Sequence, residues 1–194
     1  MNVLIILGHP NNSSFNHAIA ETCKAQIIKN GHCVVFHDLY KEKFNPVSEI
    51  VDQFKDNKID MYCSDLVNSD GVIIIHPNWW GQPPAIVKGW LDRVFLPEVA
   101  YTFVKDAEGK FVQKGLLKAQ FAIVLNTSNT SEELEEKIFK DPLETIWGNR
   151  VFKFCGIHNY KRVNFQVMKD SDFKQRTDWL CEIRQLIDIY LPKV

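Results

Sequence analysis

Apolar residues fall along the chain in blocks whose periodicity alternates. Val3-Leu-Ile-Ile-Leu7, Cys33-Val-Val-Phe36, Gly71-Val-Ile-Ile-Ile75 and Gln120 to Leu125 are short and nearly unbroken. Runs of this length without polar alternation predict strands covered on both faces, as in a parallel sheet. Val163 to Val167 predicts a fifth strand. Between them the spacing becomes helical. Phe15, Ile19, Cys23 and Ile27 share one face, and Asn30-Gly31 supplies the stop. Val47 to Val67 is mixed and reads as helical. Ile86, Val87, Trp90, Leu91, Val94 and Phe95 form one stripe behind Pro83-Pro84, residues suited to a first helical turn. Thr130 with Glu133 fits a capping box. Trp179, Leu180, Ile183, Leu186, Ile187 and Tyr190 mark a closing amphipathic helix.

Five strands joined by crossover helices predict a doubly wound α/β sheet, one domain over residues 1–194. Such sheets bind ligands outside the carboxyl ends of their strands. The loops after the first, third and fourth strands therefore carry the chemistry.

Charge narrows the choice of ligand. Lys and Arg total 23 against 24 Asp and Glu, a net charge of −1, so the basic excess of a nucleic-acid binder is missing. No apolar run approaches the roughly 20 residues that span a bilayer, and no signal-peptide pattern opens the chain, which predicts a cytoplasmic protein. The five cysteines are scattered without a C-x-x-C pair, and the six histidines show no metal-site spacing.

The first loop, Gly8-His-Pro-Asn-Asn-Ser-Ser14, lacks both the dinucleotide fingerprint and the P-loop pattern. It is rich in short hydrogen-bonding side chains and leads into a helix N-terminus, where free N–H groups and the helix dipole favour an anion. Ser13, Ser14 and nearby amides suit a phosphate; a polar turn with one serine as helix cap is the plainer alternative. The second loop, Pro77-Asn-Trp-Trp-Gly-Gln-Pro-Pro84, sets two tryptophans side by side. Their flat faces suit a planar conjugated ring, and Gly81 allows close backbone approach. One buried and one interfacial tryptophan is the alternative. The third loop, Asn126-Thr-Ser-Asn129, offers neutral donors and acceptors, or a plain connecting turn. Together an anion cradle, an aromatic wall and a neutral polar rim describe a flavin better than a sugar, a metal or a nucleic acid.

The stretch from His76 to Phe95, with its aromatic loop, proline, "VKGW" and "RVF" segments, resembles the signature of the NAD(P)H:quinone oxidoreductases. Gly8 to Asn16 is similar to that family's phosphate loop, and Ala100-Tyr-Thr-Phe103 to its substrate-side segment. Asp38-Leu-Tyr40, Phe44-Asn-Pro46 and Phe154-Cys-Gly156 follow in colinear order. The resemblance implies a flavodoxin-like fold with sheet order 2-1-3-4-5 and helices on both faces. It implies FAD or FMN held without a covalent bond, with His9, Ser14, Phe15 and Asn16 at the phosphate. Pro77, Asn78, Trp79, Trp80 and Gly81 would line the ring, and Asn126, Thr127, Ser128 and Asn129 its pyrimidine side. Tyr101 and Phe103 would face the substrate, from a neighbouring subunit of a homodimer.

The activity implied is a ping-pong, two-electron transfer from NADH or NADPH through the flavin to a quinone-like acceptor. A one-electron carrier of flavodoxin type, or an ancillary subunit of a potassium-efflux system, are the alternatives. The chain departs from the family in two places. Asn-Thr-Ser-Asn replaces Thr-Thr-Gly-Gly in the third loop, and Ser131 to Lys140 lacks the Tyr and His of the mammalian members.

Overall fold

The computed structural model describes residues 1–48 and 57–194. Its five-stranded sheet comprises β1 (Asn2–Leu7), β2 (Cys33–Asp38), β3 (Gly71–Pro77), β6 (Phe121–Thr127) and β7 (Tyr160–Phe165), all parallel, in the order β2-β1-β3-β6-β7. Counting only these strands, that is the 2-1-3-4-5 order of a flavodoxin-like sheet. A separate antiparallel hairpin joins β4 (Tyr101–Lys105) to β5 (Phe111–Gly115).

The strands alternate faithfully between two cores. Leu4, Ile6, Val72, Ile74, Ala122 and Val124 pack against α2 (Asn57–Val67), α3 (Ala85–Val94) and the helical segment after β6. That segment runs through α4 (Pro142–Glu144), a π-helical stretch (Thr145–Phe152) and α5 (Lys153–Cys155). On the other face Val3, Ile5, Leu7, Ile73, Ile75, Ile123 and Leu125 meet α1 (Phe15–Lys29) and α6 (Phe173–Tyr190). Burial on both sides is why these strands read as continuous apolar runs.

Several boundaries differ from expectation. Of the helix expected over Val47 to Val67, Val47 and Ser48 are not helical, residues 49–56 lie outside the described residues, and the remainder is α2. The last strand begins at Tyr160, opposite Ala122, and ends at Phe165. Val167 cannot extend it, because its backbone is left-handed at φ 52°. The Thr130–Glu133 capping box does not form. The Thr130 carbonyl accepts from Ser128 Oγ at 3.1 Å, and Ser131 Oγ takes the Leu134 N–H at 3.5 Å instead. The β4–β5 hairpin was not expected from the sequence. Its outward residues Phe103, Val104, Phe111 and Val112 are exposed, so no buried-strand pattern marks it.

Strand order places the carboxyl ends of β1, β3 and β6 side by side. The hydrogen-bond ladder runs beyond the strands into their loops. Gly8 N–H donates to Ile75 O at 2.9 Å, Asn78 N–H to Thr127 O at 2.7 Å, and Ser128 N–H to Phe165 O at 2.9 Å. Gly8 is needed at the first of these crossings: a Cβ there would lie 2.1 Å from Val87 Cγ2.

Candidate active site

The three loops enclose two adjoining cavities. The smaller, about 230 Å³, is lined by His9, Ser14, Phe15, Asn16, Pro77, Asn78, Trp79, Thr127, Ser128, Asn129 and Met168. The larger, about 750 Å³, is lined by Asn78, Trp79, Trp80, Gly81, Asn129, Thr130, Glu135, Phe139 and Pro142. Asn78, Trp79 and Asn129 belong to both, so the cavities meet along one wall.

The smaller cavity sits at the start of α1. Ser14 is the helix cap, its Oγ accepting the His17 N–H at 3.3 Å. Ser14 Oγ also lies 2.9 Å from His17 Nδ1, and His17 Nε2 lies 3.2 Å from Asp38 Oδ2. With the Asp38 carboxylate accepting the Nε2 proton, Nδ1 is left to accept the Ser14 hydroxyl. Phe15 stands edge-on to Phe165 with centroids 5.9 Å apart, which fixes it on the cavity wall. Asn16 is 2% exposed; its Nδ2 donates to Thr127 Oγ1 at 2.9 Å, but its Oδ1 has no hydrogen-bond partner. A buried amide oxygen left open beside a helix N-terminus fits a bound polar group that supplies the missing donor. Burial holds the His9 imidazole below its ordinary pKa, with neighbouring His17 adding to the shift and the Asn11 carbonyl opposing it.

The aromatic loop has its own construction. Trp79 and Gln82 exchange backbone hydrogen bonds at 3.0 and 3.1 Å across Trp80-Gly81. Both central residues have positive φ, 58° and 71°, as a tight type I′ turn requires. The turn throws the Trp80 side chain fully into solvent and leaves Trp79 43% exposed, so neither tryptophan serves the core. Asn78 braces the turn: its Oδ1 accepts the Gly81 N–H at 2.9 Å, and its Nδ2 donates to Glu135 Oε1 at 3.0 Å.

The third loop is only partly available. Thr127, Ser128 and Asn129 line the smaller cavity, where Asn129 Oδ1 is held by the Lys169 N–H at 2.9 Å and its Nδ2 remains as a donor. Asn126 borders neither cavity. Its amide is occupied by Asn164 Oδ1 at 2.7 Å and by Arg162 Nη1 at 2.9 Å. Tyr101 and Phe103 are not brought to these cavities within the chain. Tyr101 lines a separate hollow of about 320 Å³ with Leu91, Phe95 and Phe154, and Phe103 packs edge-on against it at 5.9 Å.

Glu135, Phe139, Thr130, Pro142 and Met168 complete the walls without having been anticipated. Glu135 carried a signal: it lies in the segment that departs from the family pattern. Among the described residues no group of three His, Cys, Asp or Glu is placed to hold a metal, and no helix is long and apolar enough to cross a membrane.

Residues 1–186 match the family model described as having a flavodoxin-like fold. An uncharacterized NAD(P)H oxidoreductase of Haemophilus influenzae is 33% identical over 178 residues, covering 88% of this chain and 84% of that protein. NAD(P)H dehydrogenase [quinone] 1 of Rattus norvegicus is 30% identical over 179 residues, 79% of this chain and 64% of the rat protein. Among solved structures, Smu.1420 from Streptococcus mutans UA159 superposes with a TM-score of 0.83 at 28% identity, over 96% of this chain and 98% of that one. The chain belongs to the NAD(P)H:quinone oxidoreductase family of flavodoxin-like fold.

Proposed function

We propose that this protein is a flavin-dependent NAD(P)H oxidoreductase that passes two electrons to a quinone-like acceptor by a ping-pong route. The observation that carries this reading is the pair of adjoining cavities: an anion-suited hollow at a helix N-terminus shares Asn78, Trp79 and Asn129 with an aromatic one. The larger, about 750 Å³, lies within the usual range of small-molecule sites. Bound there, FMN or FAD supplies the hydride chemistry between a reduced nicotinamide and the acceptor.

The chain's residues divide the work of binding. The Ser14 cap and the first amides of α1 hold the phosphate, with Asn16 Oδ1 as an acceptor for a neighbouring hydroxyl. Trp79 flanks the ring through its indole. Gly81, Ser128 and Asn129 border it with backbone and amide groups. Donor and acceptor take turns in the larger cavity. Tyr101 and Phe103 reach the acceptor from a second copy of the chain in a homodimer. With residues 1–194 acting as one domain, the reaction runs in the cytoplasm, where reduced nicotinamide is abundant.

The test is direct. Purified protein titrated with FMN or FAD quenches the flavin fluorescence, and anaerobic NADH or NADPH then bleaches the bound flavin. Flavin that never binds, or that stays oxidised with both donors, overturns the reading. Light scattering that finds only monomer removes the homodimer.

A further inference from the structure

The reaction proposed above consumes a proton as well as a hydride. The nicotinamide gives up a hydride and is oxidised; the quinone gains that hydride and one proton and leaves as hydroquinone. Among the described residues lining the larger cavity, Glu135 is the one titratable side chain, the rest being tryptophan, phenylalanine, proline, glycine, threonine and two asparagines.

Glu135 is 3% exposed, and no cation lies within ion-pair distance of it among the described residues. Buried carboxylates are ordinarily paired. What Glu135 has is the neutral amide of Asn78, whose Nδ2 donates to Oε1 at 3.0 Å. That bond makes Oε1 the acceptor oxygen, so the proton of the acid form sits on Oε2. The backbone holds the residue in place: Glu135 N–H donates to Ser131 O at 3.0 Å, and Glu135 O accepts from Asp141 N–H at 2.8 Å. Glu135 belongs to a π-helical turn, Leu134–Ile138. Such turns concentrate at functional sites.

We propose that Glu135 is the proton donor of this pocket, an inference that rests on the function proposed above. The Oε2–H bond breaks as an O–H bond forms on the acceptor oxygen, and solvent returns a proton to the carboxylate before the next turnover. The hydride and its electron pair come from the nicotinamide, so Glu135 changes charge but not oxidation state.

Glu135→Gln keeps an acceptor for Asn78 and has no acid proton. With wild type, FMN binds, NADH reduces it, and 1,4-benzoquinone reoxidises it. With E135Q, FMN binds within about threefold of wild type by fluorescence quenching and NADH reduces it as fast. Reoxidation by benzoquinone is slowed on the order of 10²-fold or more. Reoxidation of E135Q within threefold of wild type overturns the proposal while leaving the oxidoreductase reading intact. So does a loss of FMN affinity with both half-reactions slowed alike, which assigns Glu135 to bracing Asn78. Wild type that binds no flavin fails the underlying function, and the donor role with it.

Discussion

Trp147 Nε1 donates a hydrogen bond to His76 Nε2 across 3.0 Å. The bond settles the imidazole's tautomer. Nε2 must accept, so the proton is on Nδ1, which lies 2.8 Å from the Pro77 carbonyl oxygen. Both residues are fully buried, and His76 is the penultimate residue of β3, two positions before Asn78. Burial pushes the His76 pKa down from its ordinary 6.5 to about 4, with Arg162 contributing and the Pro77 carbonyl opposing.

The native state thus refuses a proton that the unfolded chain accepts. The stability this neutral imidazole contributes is complete above pH 6.5 and is lost as pH falls toward 4, about 3 kcal/mol in all. Urea unfolding at pH 7 and pH 4 measures it. His76→Gln is expected to be less stable at neutral pH but to lose about 3 kcal/mol less over that interval than wild type. Parallel losses in the two proteins would show that His76 is not the titrating group.

Trp80 contributes nothing to the core, since its side chain is fully exposed. Trp80→Ala is expected to leave the melting temperature within about 2 °C of wild type, as exposed substitutions usually do. If its indole covers a bound ring, flavin affinity falls about tenfold, corresponding to about 1.4 kcal/mol. Fluorescence titration compares the two; unchanged affinity would assign Trp80 to some other contact.

Gly81→Ala tests the turn from the backbone side. At φ 71° an added Cβ is strained, and it would also come within 2.7 Å of Pro142 Cγ. A cost of about 1–2 kcal/mol is expected for the left-handed conformation alone. The mouth of the larger cavity must then shift, so flavin affinity should fall together with the urea midpoint. A variant as stable as wild type with native affinity contradicts this account of the turn.

Arg162 ties the segment after β6 to the sheet. Its guanidinium pairs with Asp141, meets Glu144 Oε2 at 3.0 Å and donates to Asn126 Oδ1 at 2.9 Å. Only 6% of its side chain is exposed. Arg162→Met leaves Asp141 uncompensated at the N-cap of α4, and breaking such a pair costs about 3 kcal/mol. Denaturant unfolding measures this. A loss below 1 kcal/mol would mean that the pair's attraction merely offsets its desolvation.

The centre of the sheet was legible because β1, β3 and β6 are buried apolar runs, while its strand order came with the family resemblance. Ser14 was legible as a helix cap, since it stands in a polar loop between a strand and a helix, whereas Asn16, in the first turn of α1, entered only through the family resemblance. The hairpin escaped because Phe103, Val104, Phe111 and Val112 face solvent. Asn126 misled for a different reason: the final residue pair of a strand points to opposite faces, and Thr127 alone turns to the cavity while Asn126 joins Arg162. Glu135 was hidden because an acidic residue in a charged stretch, Glu132 to Lys137, reads as solvated surface until the chain folds it inward.

The β4–β5 ribbon shares no ladder with the five-stranded sheet. Its length and tip can therefore drift through evolution while the strand-end architecture stays as it is. On the function proposed above, editing this appendage would retune which acceptors are admitted without touching the residues that line the two cavities.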